Sequence, residues 1–217
     1  MASNPAPTQR RTQAERSAQS EDRLLAAAAA IIAEEGYLAA TLERVGTAAG
    51  FSRGLASRKY GSKDGLIEAV IWRVSASVHA EVDAAIDGLA SPLEQLLALF
   101  DRFVELVLRD TSVRAYFVLF SAMIANRLET RSVFEEVQQR FGARIEELAV
   151  AGQASGEIVP TLPPQHLAFM VGCLLAGIAI ETAMAHATTG AAHPDALRRD
   201  LGAMLRAALR GGPAGER

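Results

Sequence analysis

The sequence predicts an all-α fold: a small N-terminal three-helix unit containing a helix-turn-helix, followed by a larger helical body. Three observations carry this. Half of the 217 residues are hydrophobic while only 6% are aromatic, and the bulk is Ala, Leu and Arg, which favour helices. Glycine and proline gather at a few places, as punctuation between long elements. No alternating β-branched run and no internal repeat occurs along the chain.

Residues 1–19 are polar, contain proline and lack periodicity, which predicts a disordered arm whose Arg10, Arg11 and Arg16 either stay solvated or reach a DNA minor groove. Ser20 is placed to cap the first helix, with Glu21 and Asp22 near its positive end and Leu24, Leu25, Ala28, Ile31 and Ile32 as its apolar stripe. Gly36 supplies the stop. Thr41 caps a short helix with Leu42, Val45 and Ala49 inside, Gly50 allows a tight turn, and Ser52 caps a second short helix carrying Leu55. Ser62 caps a longer helix with Leu66, Ile67, Val70, Ile71 and Val74 inside. Two short helices joined at a glycine are the layout of a helix-turn-helix, whose second helix enters the major groove.

Further on, SPLE at 91–94 combines a capping Ser91, Pro92 in the first turn and Glu94 three positions after the cap; the inner face that follows is Leu93, Leu96, Leu97, Phe100, Phe103, Val104 and Val107. Residues 112–127 form a helix rich in large apolar groups. SVFE at 132–135 reads as a second capping box, opening a helix toward Gly156. Pro163 and Pro164 open an apolar helix over 165–188, and Pro194 opens a last one bearing Leu197, Leu201, Leu205 and Leu209. The boundaries expected are an arm over 1–19, a helix-turn-helix unit over 20–66, a helical body over 67–212 and a tail over 213–217.

The net charge of −3 conceals an asymmetry. Residues 1–70 hold nine basic and eight acidic side chains, whereas 71–217 hold thirteen basic and seventeen acidic ones. Both lysines of the chain, Lys59 and Lys63, fall within 52–63 beside Arg53 and Arg58, with no acid among them. Such a local patch suits phosphate contact better than the total charge suggests. The same stretch contains GFSRG, the pattern of a serine-hydrolase nucleophile elbow, which requires a strand before the serine. Val45-Gly46-Thr47-Ala48-Ala49 is too short and too Ala-rich to be one, so the match is chance and no catalytic residue is expected. The histidines at 79, 166, 186 and 193 show no metal-ligand spacing, and no metal or cofactor is expected. The lone Cys173 excludes an intrachain disulfide, suits a reducing cytoplasm and, among apolar neighbours, reads as buried packing. No apolar segment marks the N-terminus as a secretory leader, and the longest apolar run, Leu167 to Ile180, falls short of a bilayer span.

The residues Thr41-Leu42, Val45, Ala49-Gly50-Phe51-Ser52, Gly54, Tyr60, Ser62-Lys63 and Leu66 resemble the N-terminal pattern of the tetracycline-repressor (TetR) family of bacterial regulators. The resemblance covers about fifty residues; the remainder agrees only in length and helical layout. It implies an N-terminal DNA-binding unit and a larger helical ligand-binding and dimerisation domain, in a cytoplasmic repressor that a small molecule releases from a pseudo-palindromic operator. Two departures stand out: Ala56-Ser57 replaces the family's usual Leu-Tyr, and Gly46 replaces alanine. The competing reading is a helical ligand-binding or assembly module without DNA binding.

By physical role, Arg53 and Arg58 suit bidentate contact with guanine edges, and Ser57 suits a base or a phosphate. Thr41, Arg44, Ser52, Lys59 and Lys63 suit phosphates. The partners expected are double-stranded DNA, an unidentified small molecule and a second copy of the chain, with no membrane. A small-residue stripe, Gly172, Ala176, Ala179 and Ala183, allows close helix approach; the resemblance implies that this helix and 194–210 form the dimer seam, the alternative being an ordinary intrachain contact. Phe100, Phe103, Tyr116, Phe117, Phe120, Met123, Phe169 and Met170 form the candidate ligand pocket. Glu181 lies opposite the stripe on a helical projection; if the stripe faces a partner, it points toward that pocket, either to orient a ligand or to pair with an arginine such as Arg102 or Arg114, the alternative being simple exposure near the helix end.

Overall fold

The structure, a computed structural model, describes residues 12–126, 129–185 and 194–210, with the side chains at 53, 183–185 and 194 excepted. Arg10, Arg11, the tail 213–217 and the side chains of Arg53 and Ala183 therefore lie outside the described residues. Among those described there are nine α-helices, one 3₁₀ turn at Tyr37–Ala39 and no strand. The all-α expectation holds.

Helix α1, Gln13–Glu35, begins well before Ser20. The reason is a capping box: the Thr12 hydroxyl accepts from the Glu15 N–H at 3.2 Å, and the Glu15 carboxylate accepts from the Thr12 N–H at 2.8 Å. Residues 13–19, Arg16 included, are thus helix rather than arm. Helices α2 (Leu42–Ala48), α3 (Arg53–Tyr60) and α4 (Lys63–Ile86) complete the N-terminal unit. Its core is the predicted α1 stripe closed by Val45, Ala49, Ala56, Leu66 and Ile67, all buried. The 66/67 boundary falls inside α4, which continues unbroken into the body.

The body comprises α5 (Pro92–Arg109), α6 (Thr111–Asn126), α7 (Arg131–Ala154), α8 (Pro164–Ala185) and α9 (Pro194–Arg210). Helix α5 is its axis, packed against α4, α6, α7, α8 and α9, while α1 lies along α6 and joins the two units. Leu93, Leu96, Leu99 and Phe100 on α5 are at most 1% exposed, and each such side chain contributes about 1.5–3 kcal/mol by leaving water. The SVFE expectation fails: α7 starts at Arg131, before Ser132, and Thr130 occupies the cap position without a side-chain bond. Glu135 pairs instead with Arg131 at 2.7 Å.

Two glycines are required by space rather than by backbone angle. A Cβ on Gly65 would lie 2.3 Å from the Tyr60 carbonyl oxygen, which is backbone, whereas one on Gly152 would lie 2.4 Å from the Ile158 δ-methyl and 2.7 Å from its γ1 carbon, side-chain atoms that shift more readily than a helix carbonyl. Gly65→Ala is therefore expected to cost about 1–3 kcal/mol and to exceed the cost of Gly152→Ala. Thermal melts of the two variants check the order, and the reverse order would refute it.

Helix α9 is tied to α5 by charge. Both Arg206 Nη atoms bond the Glu94 carboxylate, one of them at 2.7 Å, and Arg210 Nη2 lies 3.7 Å from it. Arg206's hydrogen bond holds the Glu94 carboxyl below its ordinary 4.5, and a bond from the Ser91 hydroxyl does the same for Glu157. A depressed folded pKa gives stability that is present above the ordinary value and lost as pH falls below it. Melting temperature should thus fall below about pH 4.5, and less steeply in Glu94→Gln. An equal acid slope in that variant would exclude the pair as a cause.

Candidate DNA-contacting surface and an apolar cavity

The turn between α2 and α3 is built as the sequence requires. Gly50 has φ +75°, in the region that disfavours other residues, and the Phe51 N–H donates to the Gly46 carbonyl at 2.8 Å. The Thr41 hydroxyl caps α2 by accepting from the Arg44 N–H at 3.2 Å. Ser52 stands at the cap of α3 without a side-chain bond, so its exposed hydroxyl remains available.

The basic residues divide by helical phase. On α3, Gly54 and Arg58 are exposed and Ser57 is half-buried beside them, while Ala56 is fully buried on the opposite side. Arg58 has no ion pair or hydrogen bond among the described residues and is placed to meet a groove. Lys59, one position on, turns inward: its Nζ lies 2.8 Å from the Glu21 carboxylate on α1. Lys63 is also engaged, with its Nζ 3.9 Å from the centre of the Tyr37 ring and donating to the Leu38 carbonyl at 3.3 Å; burial lowers its pKa. Both lysines, expected at phosphates, thus have partners within the unit, and the Glu21 that holds Lys59 is itself about half exposed. Arg44 pairs with Glu35, but both are about half exposed, and such a pair yields readily to a phosphate. Behind Lys59, the Tyr60 hydroxyl is buried without a partner, and burial, then Glu21 and Asp22, push its pKa up to about 12.

The second feature is a cavity of about 650 Å³ between α4, α5, α6, α7 and α8. Of the predicted pocket residues, Phe103, Tyr116, Phe117, Phe120 and Phe169 line it. Phe103 bridges two walls, with ring centres 6.3 Å from Phe117 on α6 and 4.9 Å from Phe141 on α7. The others do not. Phe100 is core, 1% exposed; Met123 packs beside the core; Met170 and Glu181 sit on the exposed side of α8. Sequence reasoning missed Ser75, His79, Phe141 and Glu146, which also line the cavity. Ser75, Val78 and His79 continue the inner face of α4 past Val74, and that continuing spacing was the available signal.

The error at Glu181 is one of rotation. The inward face of α8 is Leu167, Val171, Leu175 and Ala179, all at most 5% exposed. Ala179 is therefore buried in its own chain, while Gly172 and Ala176 are half-buried and line the cavity together with the exposed Phe169 and Cys173. Glu181 consequently turns outward, away from the aromatic groups. The outward side carries Phe169 (73% exposed), Met170 (54%) and Ile180 (38%), and α9 separately exposes Leu197 (41%) and Met204 (53%). Cys173, expected to be buried, is exposed on the same helix.

Residues 24–70 match the family described as bacterial regulatory proteins, tetR family. The match spans the helix-turn-helix unit, from Leu24 in α1 into α4. The chain is 26% identical over 140 residues to the HTH-type transcriptional regulator HbdR of Aromatoleum sp. (strain CIB), an overlap of 64% of the chain and 59% of HbdR; the match spans less than two thirds of that relative's length. Its fold is that of the fatty acid degradation regulator FadR from Bacillus halodurans, with a TM-score of 0.73 at 17% identity, covering 91% of this chain and 97% of FadR. It is also that of AibR, solved in complex with isovaleryl coenzyme A and operator DNA, with a TM-score of 0.69 at 17% identity, covering 85% and 97%. At these identities the likeness is one of fold.

Proposed function

We propose that this regulator binds a pseudo-palindromic operator as a homodimer, represses transcription in the cytoplasm, and is released by a small molecule entering the 650 Å³ cavity. The observation that carries the reading is helix α4. Its first residue, Lys63, sits against the helix-turn-helix unit, and the same helix supplies Val74, Ser75, Val78 and His79 to the cavity wall. A ligand that displaces that wall moves an element shared with the DNA-contacting unit, so occupancy and DNA affinity are linked.

The dimer is supported by the outward face of α8 and α9. Pro164–Thr182 is apolar enough, and at 19 residues long enough, to cross a bilayer by length and composition, although this contrasts with the shorter run read from the sequence. Yet α8 packs on α5, α6 and α7, and both α8 and α9, each packed on α5, leave apolar side chains exposed, as a helical seam with a second copy requires. A two-fold dimer sets its recognition helices about 34–36 Å apart, one turn of DNA.

Selection of genomic fragments bound by the full-length protein tests the reading. It should return sites sharing a dyad with half-sites one helical turn apart. Fragments without a common dyad would remove the dimeric-repressor reading.

A further inference from the structure

The walls of the cavity carry little charge. Among the described residues no arginine or lysine lines it, and Glu146 is its one carboxylate, bonded by the Gln165 amide at 2.6 Å. An anionic group entering this space would meet aromatic rings and a like charge, a costly exchange for water. An ammonium would find only a carboxylate that already has a partner.

Gln138, Gln139, Gln165 and Cys173 line the exposed part of the cavity, and the less exposed polar side chains in its lining, Ser75, His79 and Tyr116, supply donors and acceptors. His79 Nδ1 lies 2.8 Å from the Ser75 carbonyl oxygen, which can only accept, so Nδ1 carries a proton, and in that tautomer Nε2 is an acceptor. The Ser75 hydroxyl oxygen lies 3.4 Å from the same N–H and can take a share of it, which leaves the serine proton free to donate. Tyr116 is 9% exposed, lines the same cavity, and its hydroxyl makes no hydrogen bond among the described residues. Burial pushes its pKa up, so it stays a neutral phenol. A hydroxyl group both donates and accepts and can complete such a set; a carboxylate only accepts, and an ammonium only donates.

We infer that the part of the ligand held in the cavity is an uncharged, largely apolar body bearing a hydroxyl group, bonded by His79, Ser75 and Tyr116, with any charged carrier remaining outside the mouth. The inference rests on the cavity being the ligand site, as proposed above. The hydroxylated body has two chemical sources, a free alcohol or phenol and a hydroxyacyl group on coenzyme A.

The test is fluorescence titration of the full-length protein with hydroxypyrene, methylpyrene, pyrenecarboxylate and pyrenylmethylammonium, which share one apolar body. Hydroxypyrene should bind at least about tenfold more tightly than the other three. Tyr116→Phe, nearly isosteric, and His79→Phe should each lower hydroxypyrene affinity toward that of methylpyrene while leaving methylpyrene unchanged, with folding checked by circular dichroism. Tighter binding of the carboxylate or the ammonium, or an undiminished hydroxyl preference in both variants, would overturn the inference and leave the cavity reading standing. No binding of any probe would overturn both. Displacement of hydroxypyrene by hydroxydecanoyl coenzyme A, but not by decanoyl coenzyme A, assigns the hydroxyl to a carried acyl group; displacement by decanediol alone assigns it to a free compound.

Discussion

Met204→Glu is expected to give a folded monomer that has lost operator affinity by about 10²–10⁴-fold, the factor that linking two half-site contacts supplies. Met204 stands 53% exposed on α9 and does not line the cavity. In the isolated chain a carboxylate there is solvated and harmless. In a dimer it would be buried among apolar groups with no partner, at a cost of several kcal/mol. Sedimentation velocity and a gel-shift titration on the selected operator read both consequences together. An intact dimer with unchanged affinity would place the seam elsewhere. Ala176→Phe, by contrast, fills cavity space, and its effect should fall on ligand binding rather than assembly.

Arg58→Ala should weaken specific binding by about 1–3 kcal/mol and relax base preference at one position of each half-site, since a bidentate guanine contact is worth that much. Its neighbour provides the control. Lys59 spends its ammonium on Glu21, so Lys59→Met should leave base preference and the salt dependence of binding nearly unchanged. Competition titrations with single-base operator variants, repeated over a range of salt, separate the two. If Lys59→Met flattened the salt slope while Arg58→Ala left specificity intact, the division of α3 into outward and inward charges would be reversed.

That division marks where the sequence stops being informative. The caps at Thr41, Ser62 and Ser91, the glycine turn at Gly50 and the stripes of α1 and α5 were all legible, because each is a local choice enforced by backbone bonding or by a single wet side. Arg58 and Lys59 are adjacent and chemically alike, and only the position of α1 decides that one turns out while the other meets Glu21. Helix α8 failed for a different reason. It is apolar on its inner side at Val171 and Leu175 and on its outer side at Phe169 and Ile180, so its pattern has no phase from which to aim Glu181. The start of α1 was readable in Thr12-x-x-Glu15 but lay in a stretch too polar to suggest a helix.

The unbroken run of α4 has a mechanical consequence. Lys63 and His79 are separated by about 24 Å at 1.5 Å per residue. A tilt of about 5° pivoting at the cavity would carry the N-terminal end of α4 through about 2 Å, and two-fold symmetry would double the change in spacing between recognition helices fixed about 34–36 Å apart on DNA. Leverage depends on where the push is applied. A molecule wedged beside Val74 and one wedged beside His79 could bind equally well yet differ in how far they swing the far end, so potency as an inducer and affinity as a ligand would be separate properties of this protein.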